Sequence, residues 1–166
     1  DYMHGVKERV YPVGRLDYDT EGLILLTNDG EFANLLMHPR FHVPKTYLVY
    51  TKGVPHGEAL DKLRSGVQLD DGPTAPAEVE YADVDPEKRE AVIQITIYEG
   101  RNRQVRRMFE AIRTPVQRLR RIRFGSVLLG GLPRGKWRRL TREEVAELRR
   151  MAEKNIIESH NVHKEE

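Results

Sequence analysis

Three carboxylates alternate along a short stretch near the start of the sequence, at Asp17, Asp19 and Glu21, and Gly22 follows them. Carboxylates at such a spacing can ligate a metal ion, exchange protons or form covalent intermediates. The pattern matches positions 1, 3, 5 and 6 of a calcium-binding loop, but Asn28 stands at position 12, where that loop requires a bidentate Glu. Without further context, such a stretch is most often a turn whose carboxylates are satisfied by hydrogen bonds.

Two enzyme classes could use the same acids. A metal nuclease would hold its ion between them, but Arg15 lies beside them and the sequence offers no further cluster of acids and histidines. A glycoside-cleaving enzyme would use Asp17 with Asp19 or Glu21 as an acid and a nucleophile, yet the arginines nearby suit a polyanion better than a neutral sugar. The sequence has no cysteine, which excludes thiol nucleophiles, disulfides and thiolate metal sites.

Basic residues are concentrated in one part of the chain. Residues 101–139 contain thirteen Lys or Arg and a single acid, Glu110, whereas the rest of the chain has fifteen bases and twenty-five acids. Twelve of the thirteen bases are arginine, whose planar guanidinium binds phosphate in a bidentate manner and stacks on nucleic-acid bases. The segregation predicts a polyanionic partner, with nucleic acid as the leading candidate and a solvated basic surface as the alternative.

The elements that position these residues are predicted from the periodicity of the apolar residues. Alternating or continuous apolar runs predict strands at residues 9–13, 22–27, 45–51, 77–84, 91–98 and 116–124. Helical spacing predicts helices at residues 31–38, 56–65 and 102–112, and a last helix that begins at the capping box of residues 141–144. That helix is expected to direct Val145, Leu148, Met151 and Ala152 inward, and residues 77–84 and 91–98 are expected to form an antiparallel pair.

Length and composition limit the class of protein. With 166 residues, of which 39% are hydrophobic, the chain fits one globular domain, expected at residues 1–154 and followed by a polar, frayed tail at residues 155–166. The longest apolar runs fall far short of the roughly 20 residues that a membrane-spanning helix needs. A cytoplasmic monomer without membrane association is therefore expected.

Three segments together resemble one enzyme family. Residues 13–30, Val-Gly-Arg-Leu-Asp-Tyr-Asp-Thr-Glu-Gly-Leu-Ile-Leu-Leu-Thr-Asn-Asp-Gly, closely resemble the signature of the RsuA/RluB family of pseudouridine synthases. Residues 45–47, Lys-Thr-Tyr, and residues 99–108, Glu-Gly-Arg-Asn-Arg-Gln-Val-Arg-Arg-Met, resemble its second and third motifs in the same order. The resemblance extends from about residue 11 to about residue 148, and the third motif is most similar to the RluB branch, which acts on large-subunit ribosomal RNA.

The resemblance implies a fold class and an activity. The fold would be α/β (α+β), the pseudouridine synthase catalytic domain, with a mixed, largely antiparallel sheet flanked by helices. The activity would be conversion of a specific uridine of ribosomal RNA, most similar to the 23S case, into pseudouridine by base flipping and an Asp-dependent covalent mechanism. The family commonly has a small basic RNA-binding domain upstream, and this chain begins near the first motif, so that domain and the N-terminal part of the catalytic domain are expected to be absent.

Three catalytic residues are implied by matching the motifs residue by residue. Asp17 corresponds to the catalytic aspartate, which must lie close to the sugar and base; attack on the ribose, attack on the base and proton removal all remain open. Arg106 would keep Asp17 ionised and oriented, although another phosphate contact is the competing role. Tyr47 would stack on the target base, although burial in the core would explain the same residue.

The remaining implied residues contact the RNA. Arg15 would fill the gap that the flipped uridine leaves, since flipping costs a few kcal/mol, and its alternative is a salt bridge to Asp19 or Glu21. Val105 would pack on the other side of the base. The full set of expected substrate contacts is Arg15, Arg101, Asn102, Arg103, Gln104, Val105 and Arg107.

No cofactor and no metal are expected, because isomerisation keeps the same base and consumes no second substrate. The expected partner is ribosomal RNA. A rival of a different class is an RNA-binding protein that has this fold and basic surface but performs no chemistry. The presence of Asp17, Tyr47 and Arg106 together favours the enzyme.

Overall fold

A mixed sheet with helices on its surface forms the framework of the computed structural model, which describes residues 6–165. The elements in chain order are β1 (Tyr11–Pro12), β2 (Thr20–Gly22), β3 (Leu26–Thr27), α1 (Gly30–Leu36), β4 (Lys45–Lys52), α2 (Gly57–Ser65), β5 (Gln68–Leu69), β6 (Gly72–Pro73), β7 (Glu78–Asp85), β8 (Glu90–Ile97), α3 (Gln104–Ala111), β9 (Val116–Phe124), β10 (Val127–Leu128) and α4 (Arg142–Glu165).

The main sheet is largely antiparallel. Its strand order is β10-β9-β4-β8-β7, and β2 adds to β9 in parallel. Strand β4 lies at the centre, where it pairs with β8 and with β9 over nearly its whole length. The predicted antiparallel pair is confirmed as β7 and β8, which meet from Glu78 opposite Thr96 to Asp85 opposite Glu90. The mixed sheet flanked by helices that the resemblance implied is therefore observed.

Two groups of buried apolar residues hold the fold together. The first, here called the sheet core, joins β4, β7, β8 and β9 to α2 and α3, and consists of Val49, Leu60, Leu63, Leu69, Ala77, Val79, Ala91, Ile93, Ile95, Ile97, Val105, Met108, Phe109 and Leu119. The second, here called the terminal core, joins the first motif to α1 and α4, and consists of Val13, Leu23, Leu25, Phe32, Ala33, Leu36, Phe41, Val43, Phe124, Val127, Leu129, Leu148 and Ala152.

The predicted strands near the start of the chain were too long. Only β1 remains of the strand predicted at residues 9–13, and the strand predicted at residues 22–27 is divided into β2 and β3. The division arises because the chain changes partners: β2 pairs with β9, whereas β3 pairs with β1. Leu23 and Leu25 lie between β2 and β3, and both are buried in the terminal core. The Leu23 amide donates to the Arg121 carbonyl, and the Val13 amide donates to the Leu25 carbonyl.

The last helix is longer than the sequence predicted. Leu148 and Ala152 are fully buried, and Val145 and Met151 pack beside them, as expected. The polar segment predicted to fray from residue 155 instead continues α4 to Glu165. One anchor of this extension is Asn155, whose Nδ2 donates to the carbonyl of Phe41 at 3.1 Å.

Candidate active site

The acidic motif is held against strand β9 by a close backbone approach. A turn closes where the Thr20 amide donates to the Asp17 carbonyl at 2.9 Å, and β2 then runs parallel to β9 with Gly22 opposite Arg121. Gly22 has a φ of +105°, and a Cβ at this position would lie 2.1 Å from the Arg121 carbonyl oxygen. Only glycine fits here, so the Gly that follows the three acids fixes their position relative to the sheet.

Asp19 is the most strongly paired of the three acids. Arg103 donates two hydrogen bonds to its carboxylate, both at 2.9 Å. Arg106 Nη2 donates to the Asp19 carbonyl at 2.7 Å, while its Nε lies 3.4 Å from Asp19 Oδ2 without hydrogen-bonding geometry. The hydrogen bonds from Arg103 lower the pKa of Asp19, partial burial opposes them, and the charge of Arg106 adds to the lowering.

Arg103 adopts a conformation that is uncommon for a residue with a side chain. It precedes helix α3 with a φ of +50°, in the left-handed region. Such a residue carries strain of order 1 kcal/mol or more, which the fold must offset elsewhere. The bidentate contact with Asp19 does so, and it ties the start of α3 to the acidic motif.

Asp17 is left much more open than Asp19. Its side chain is 37% exposed, and its carboxylate lies 4.0 Å from Arg103 Nη1. The expected ion pair between Asp17 and Arg106 is not formed, because Arg106 is turned to the carbonyl and carboxylate of Asp19. The cation beside Asp17 is thus Arg103, a residue for which the sequence suggested only contact with substrate.

Glu21 is also engaged within the chain. Arg118 donates to its carboxylate at 2.8 Å from Nε, and Nη2 lies at 2.7 Å. These hydrogen bonds lower the pKa of Glu21, against the effect of partial burial. A glycoside-cleaving enzyme needs an acid that keeps its proton. Asp19 and Glu21, both with lowered pKa values, do not fit that role beside Asp17.

Tyr47 lies on β4, opposite Arg121 of β9. The side chain is half-buried and packs against the sheet core, which also contains Val105, so the two residues predicted on either side of the base are close to one core. Burial raises the pKa of the Tyr47 hydroxyl, the positive charge of Arg121 opposes the rise, and the negative charge of Asp17 adds to it. The hydroxyl is therefore within electrostatic reach of both Arg121 and Asp17.

One buried cation and one half-buried cation were missed by the sequence analysis. Arg121 is 3% exposed, although it stands in the middle of β9 opposite Tyr47. Lys45, two residues before Tyr47, donates to the Glu99 carbonyl at 3.2 Å. Burial lowers the pKa of Lys45 to about 8, the charge of Arg121 adds to this effect, and Glu99 opposes it. The signal for Arg121 was available as a charged residue at an inward position of a predicted strand.

The rim of the site carries exposed side chains. Arg15 is exposed, and no described residue pairs with it, so its alternative salt bridge to Asp19 or Glu21 is not formed. Tyr18 is 95% exposed, and its ring centre lies 6.0 Å from the Arg103 guanidinium. The sequence analysis also missed Tyr18, whose position next to Asp17 was the available signal.

Several expected substrate contacts are occupied inside the chain. Gln104 is buried, and its amide contacts Glu99 at 2.9 Å. Arg107 pairs with Asp71 at 2.8 Å, and the Arg107 Nε donates to the carbonyl of Asn102.

Arg101 lies in the same network. It contacts the Glu99 carboxylate at 3.2 Å and donates to the carbonyls of Gly72 and Pro73, which fastens the β5–β6 hairpin to the end of β8. Of the residues in the third motif, it is Arg103 and Arg106 that the structure brings to the acids.

The basic segment is therefore partly neutralised. Six of its arginines form ion pairs with acids of the same chain, and these are Arg101, Arg103, Arg106, Arg107, Arg118 and Arg138. Among the side chains of residues 6–158, no group of three or more His, Asp or Glu converges as metal ligands would. No helix within residues 6–165 is both long enough and apolar enough to cross a membrane.

Comparison with known proteins gives consistent matches. The family model described as RNA pseudouridylate synthase matches residues 2–111. The chain is 52% identical over 153 residues to ribosomal large subunit pseudouridine synthase B of Bacillus subtilis (strain 168), a match covering 92% of this chain and 63% of that protein. It is 46% identical over 141 residues to ribosomal large subunit pseudouridine synthase E of Xanthomonas axonopodis pv. citri (strain 306), covering 77% of this chain and 74% of that protein.

Solved structures agree with these matches. A crystal structure of a pseudouridylate synthase superimposes with a TM-score of 0.76 at 37% identity, covering 84% of this chain and 59% of that one. A chain of an H/ACA RNP bound to a substrate RNA containing 2′-deoxyuridine gives a TM-score of 0.56 at 15% identity, covering 71% of this chain and 39% of that one, a likeness of fold alone. The present chain spans 63% and 59% of the lengths of two of the curated relatives it matches.

Proposed function

This chain belongs to the RNA pseudouridylate synthase family, and on that premise we propose that it converts a specific uridine of large-subunit ribosomal RNA into pseudouridine. Residues 1–154 would form the catalytic domain, and the protein would act as a cytoplasmic monomer on 23S rRNA. The relatives named as acting on the large ribosomal subunit support this choice of RNA.

The observation that carries the proposal is the difference between Asp17 and its neighbours. Asp19 and Glu21 accept hydrogen bonds from arginines, whereas none of the described residues donates one to the Asp17 side chain. A carboxylate that forms a covalent intermediate must be reachable and must retain a free lone pair. Asp17 meets both conditions, and the Tyr47 hydroxyl is close enough to feel its charge.

Each remaining residue then has a role that its position supports. Tyr47 would stack on the flipped uracil, with Val105 providing apolar packing beneath it. Arg15, exposed on the rim, would occupy the space that the uridine leaves in its helix. Arg103 would supply the cation next to Asp17. Arg106 would hold the acidic motif through Asp19 in the free protein, and its guanidinium would turn to Asp17 when RNA binds.

The outer contacts follow from the third motif. Asn102, which is exposed, would contact the RNA backbone. The network that joins Arg101, Gln104 and Arg107 to Asp71 and Glu99 would support the rim from behind, and these residues would reach the RNA only if that network opens.

The proposal is tested with the variant Asp17→Asn and RNA labelled with tritium at C5 of uracil. Pseudouridine formation replaces the C5 hydrogen, so the unmodified protein should release tritium and Asp17→Asn should release none. RNA affinity should change little, because the variant removes no contact that positions the strand. Asp19→Asn is the matched control, which should retain measurable release.

Two results would contradict the proposal. Undiminished tritium release by Asp17→Asn would remove Asp17 from the chemistry. Absence of release by the unmodified protein with rRNA that it binds tightly would favour the rival, an RNA-binding protein that performs no reaction.

A further inference from the structure

Arg121 is a buried cation inside the site. Its Nε donates to the carbonyl of Leu23 at 2.8 Å, and its guanidinium lies 5.4 Å from the ring centre of Phe124. It faces Tyr47 across the β4–β9 pair and Gly22 across the β2–β9 pair. Arg121 therefore lies where the acidic motif meets the sheet.

The charge of Arg121 is not balanced within the described chain. No Asp or Glu side chain of residues 6–158 lies within ion-pair distance of it, in contrast to the arginines that hold Asp19 and Glu21. Its Nη2 is fully buried and has no hydrogen-bond partner among these residues. A buried donor without a partner costs about 1–3 kcal/mol, and more when it is charged. Such a group is stabilised when a ligand brings an acceptor to it.

The surroundings of Nη2 identify the chemistry of that ligand. Arg121 lies directly opposite Tyr47, the residue proposed to stack on the flipped uracil, and its charge acts on the Tyr47 hydroxyl. Lys45, two residues before Tyr47 on β4, adds a second cation. The phosphates of a flipped nucleotide stay at the rim, whereas its base reaches the interior. The acceptor is therefore an oxygen of the base.

The proposed reaction creates negative charge on this base. Of the routes open to Asp17, we take attack on the ribose: when the C1′–N1 bond breaks, its electron pair stays on the uracil, which becomes an anion with charge shared among N1, O2 and O4, while the Asp17 carboxylate bonds to C1′. After the base turns, C5 attacks C1′ and the carboxylate leaves with its electron pair. The C5 hydrogen departs as a proton and N1 takes up a proton, so the product is an isomer of the substrate.

Building on the proposed function, we infer that Arg121 is a further catalytic residue, whose buried Nη2 donates to a carbonyl oxygen of the uracil anion while the base is detached. The Nε contact with Leu23 fixes the guanidinium in place, so its free donor is oriented before the reaction begins. A donor fixed where charge develops accelerates a reaction more than it strengthens substrate binding. The expected signature is a loss of rate without a comparable loss of affinity.

The test compares Arg121→Gln with Arg120→Gln, its neighbour on β9. Both variants lose one positive charge from the same strand, but Arg120 lies opposite Leu48 rather than Tyr47 and is not fully buried. Single-turnover rates at saturating protein should fall roughly 100-fold for Arg121→Gln and less than threefold for Arg120→Gln. RNA dissociation constants of both should stay within about threefold of each other. A thermal unfolding transition measured for each variant checks that it is folded.

The conservative variant Arg121→Lys separates charge from structure. It keeps the positive charge without the planar fork, so it should recover part of the rate, about tenfold above Arg121→Gln. Should Arg121→Gln not fold, Arg121→Lys is compared with Arg120→Lys, and a tenfold lower rate in the former supports the inference. Equal single-turnover rates within either pair, or a defect confined to RNA affinity, would overturn it. An unmodified protein that forms no pseudouridine would refute the proposed function itself, and the inference would fall with it.

Discussion

The sheet core and the terminal core are built differently, and the site lies where they meet. In the sheet core, β4 and β8 are eight residues long and pair along their full length. Around the terminal core, β1 and β3 have two residues each and β2 has three. Tyr47 and Arg121 belong to the long strands, whereas Asp17 and Arg15 lie in the loop between short ones. The residues proposed to hold the base are thus fixed by the sheet, and the proposed catalytic acid is carried by a less restrained segment.

The two parts are connected at the site by the pairing of β2 with β9 and by arginine side chains that reach the acidic motif. The Leu23 amide donates to the Arg121 carbonyl, and the Arg121 side chain donates to the Leu23 carbonyl. The bidentate pair of Arg103 with Asp19 adds a charged link. These links set the position of Asp17 relative to Tyr47. Because the two cores are separate clusters, variants in one and in the other should have separable effects.

The largest expected effects come from opening either core. Phe41 and Phe109 are both fully buried, the first in the terminal core and the second in the sheet core. Replacement by Ala should cost about 3–5 kcal/mol of unfolding free energy in each case. Hydrogen exchange should show that Phe41→Ala deprotects residues 23–36 before β4 and β8, whereas Phe109→Ala deprotects the sheet. Uniform loss of protection in both variants would mean that the two cores unfold as one unit.

A second variant breaks the junction itself. Gly22→Ala forces a Cβ against the Arg121 carbonyl and a side chain into a left-handed conformation, which should cost about 3 kcal/mol and displace Asp17. Gly14→Ala is the control, because Gly14 also has a positive φ, +72°, but an added Cβ would meet nothing within 4 Å. That control should lose only about 1 kcal/mol. Equal unfolding midpoints for the two variants would show that the close approach to β9 is unimportant.

The regular part of the fold could be predicted from the sequence, because periodicity is a local property. The strands at residues 45–51 and 116–124 and the helix at residues 102–112 agree with β4, β9 and α3 to within a few residues. The inward residues of α4 were predicted for the same reason. Short strands such as β2 depend on a partner almost a hundred residues away in sequence, and no local pattern encodes that pairing.

The contacts within the site were harder to predict than its residue types. The start of α3 lies against the acidic motif through Arg103 and Arg106, whereas the catalytic roles of Asp17 and Tyr47 stay a prediction. The partner of Arg106 could not be predicted, because Asp17 and Asp19 carry the same charge two residues apart and only the turn at Thr20 decides which one faces α3. Arg121 was counted only as one of the thirteen bases of residues 101–139, since a count of bases does not distinguish a buried arginine from a surface one.

The two aspartates offer a smaller test of the same comparison. Asp19→Asn weakens two charged hydrogen bonds that link the loop to α3, and it should lower the unfolding free energy by about 2 kcal/mol. Asp17→Asn loses only a 4.0 Å contact and should change stability by less than about 0.5 kcal/mol. Denaturant unfolding at neutral pH measures both. If Asp17→Asn were the more destabilised variant, Asp17 would be a structural residue rather than the free acid of the site.

The smallest expected effect is a pH dependence that originates on the sheet side. Burial lowers the pKa of Lys45 to about 8 in the folded state, whereas the unfolded state has an ordinary lysine pKa. Above about pH 8, the unfolded state therefore binds more protons than the folded state. Stability should therefore rise with pH, by about 1 kcal/mol between pH 7.5 and 9, before ionisation of tyrosine in the unfolded state reverses the trend near pH 10. Lys45→Met should abolish the rise, whereas Lys52→Met, at an exposed position of the same strand, should retain it. If the rise in stability with pH persisted in Lys45→Met, another group would cause it. Burial of Lys45 would then not be a property of the site beside Arg121.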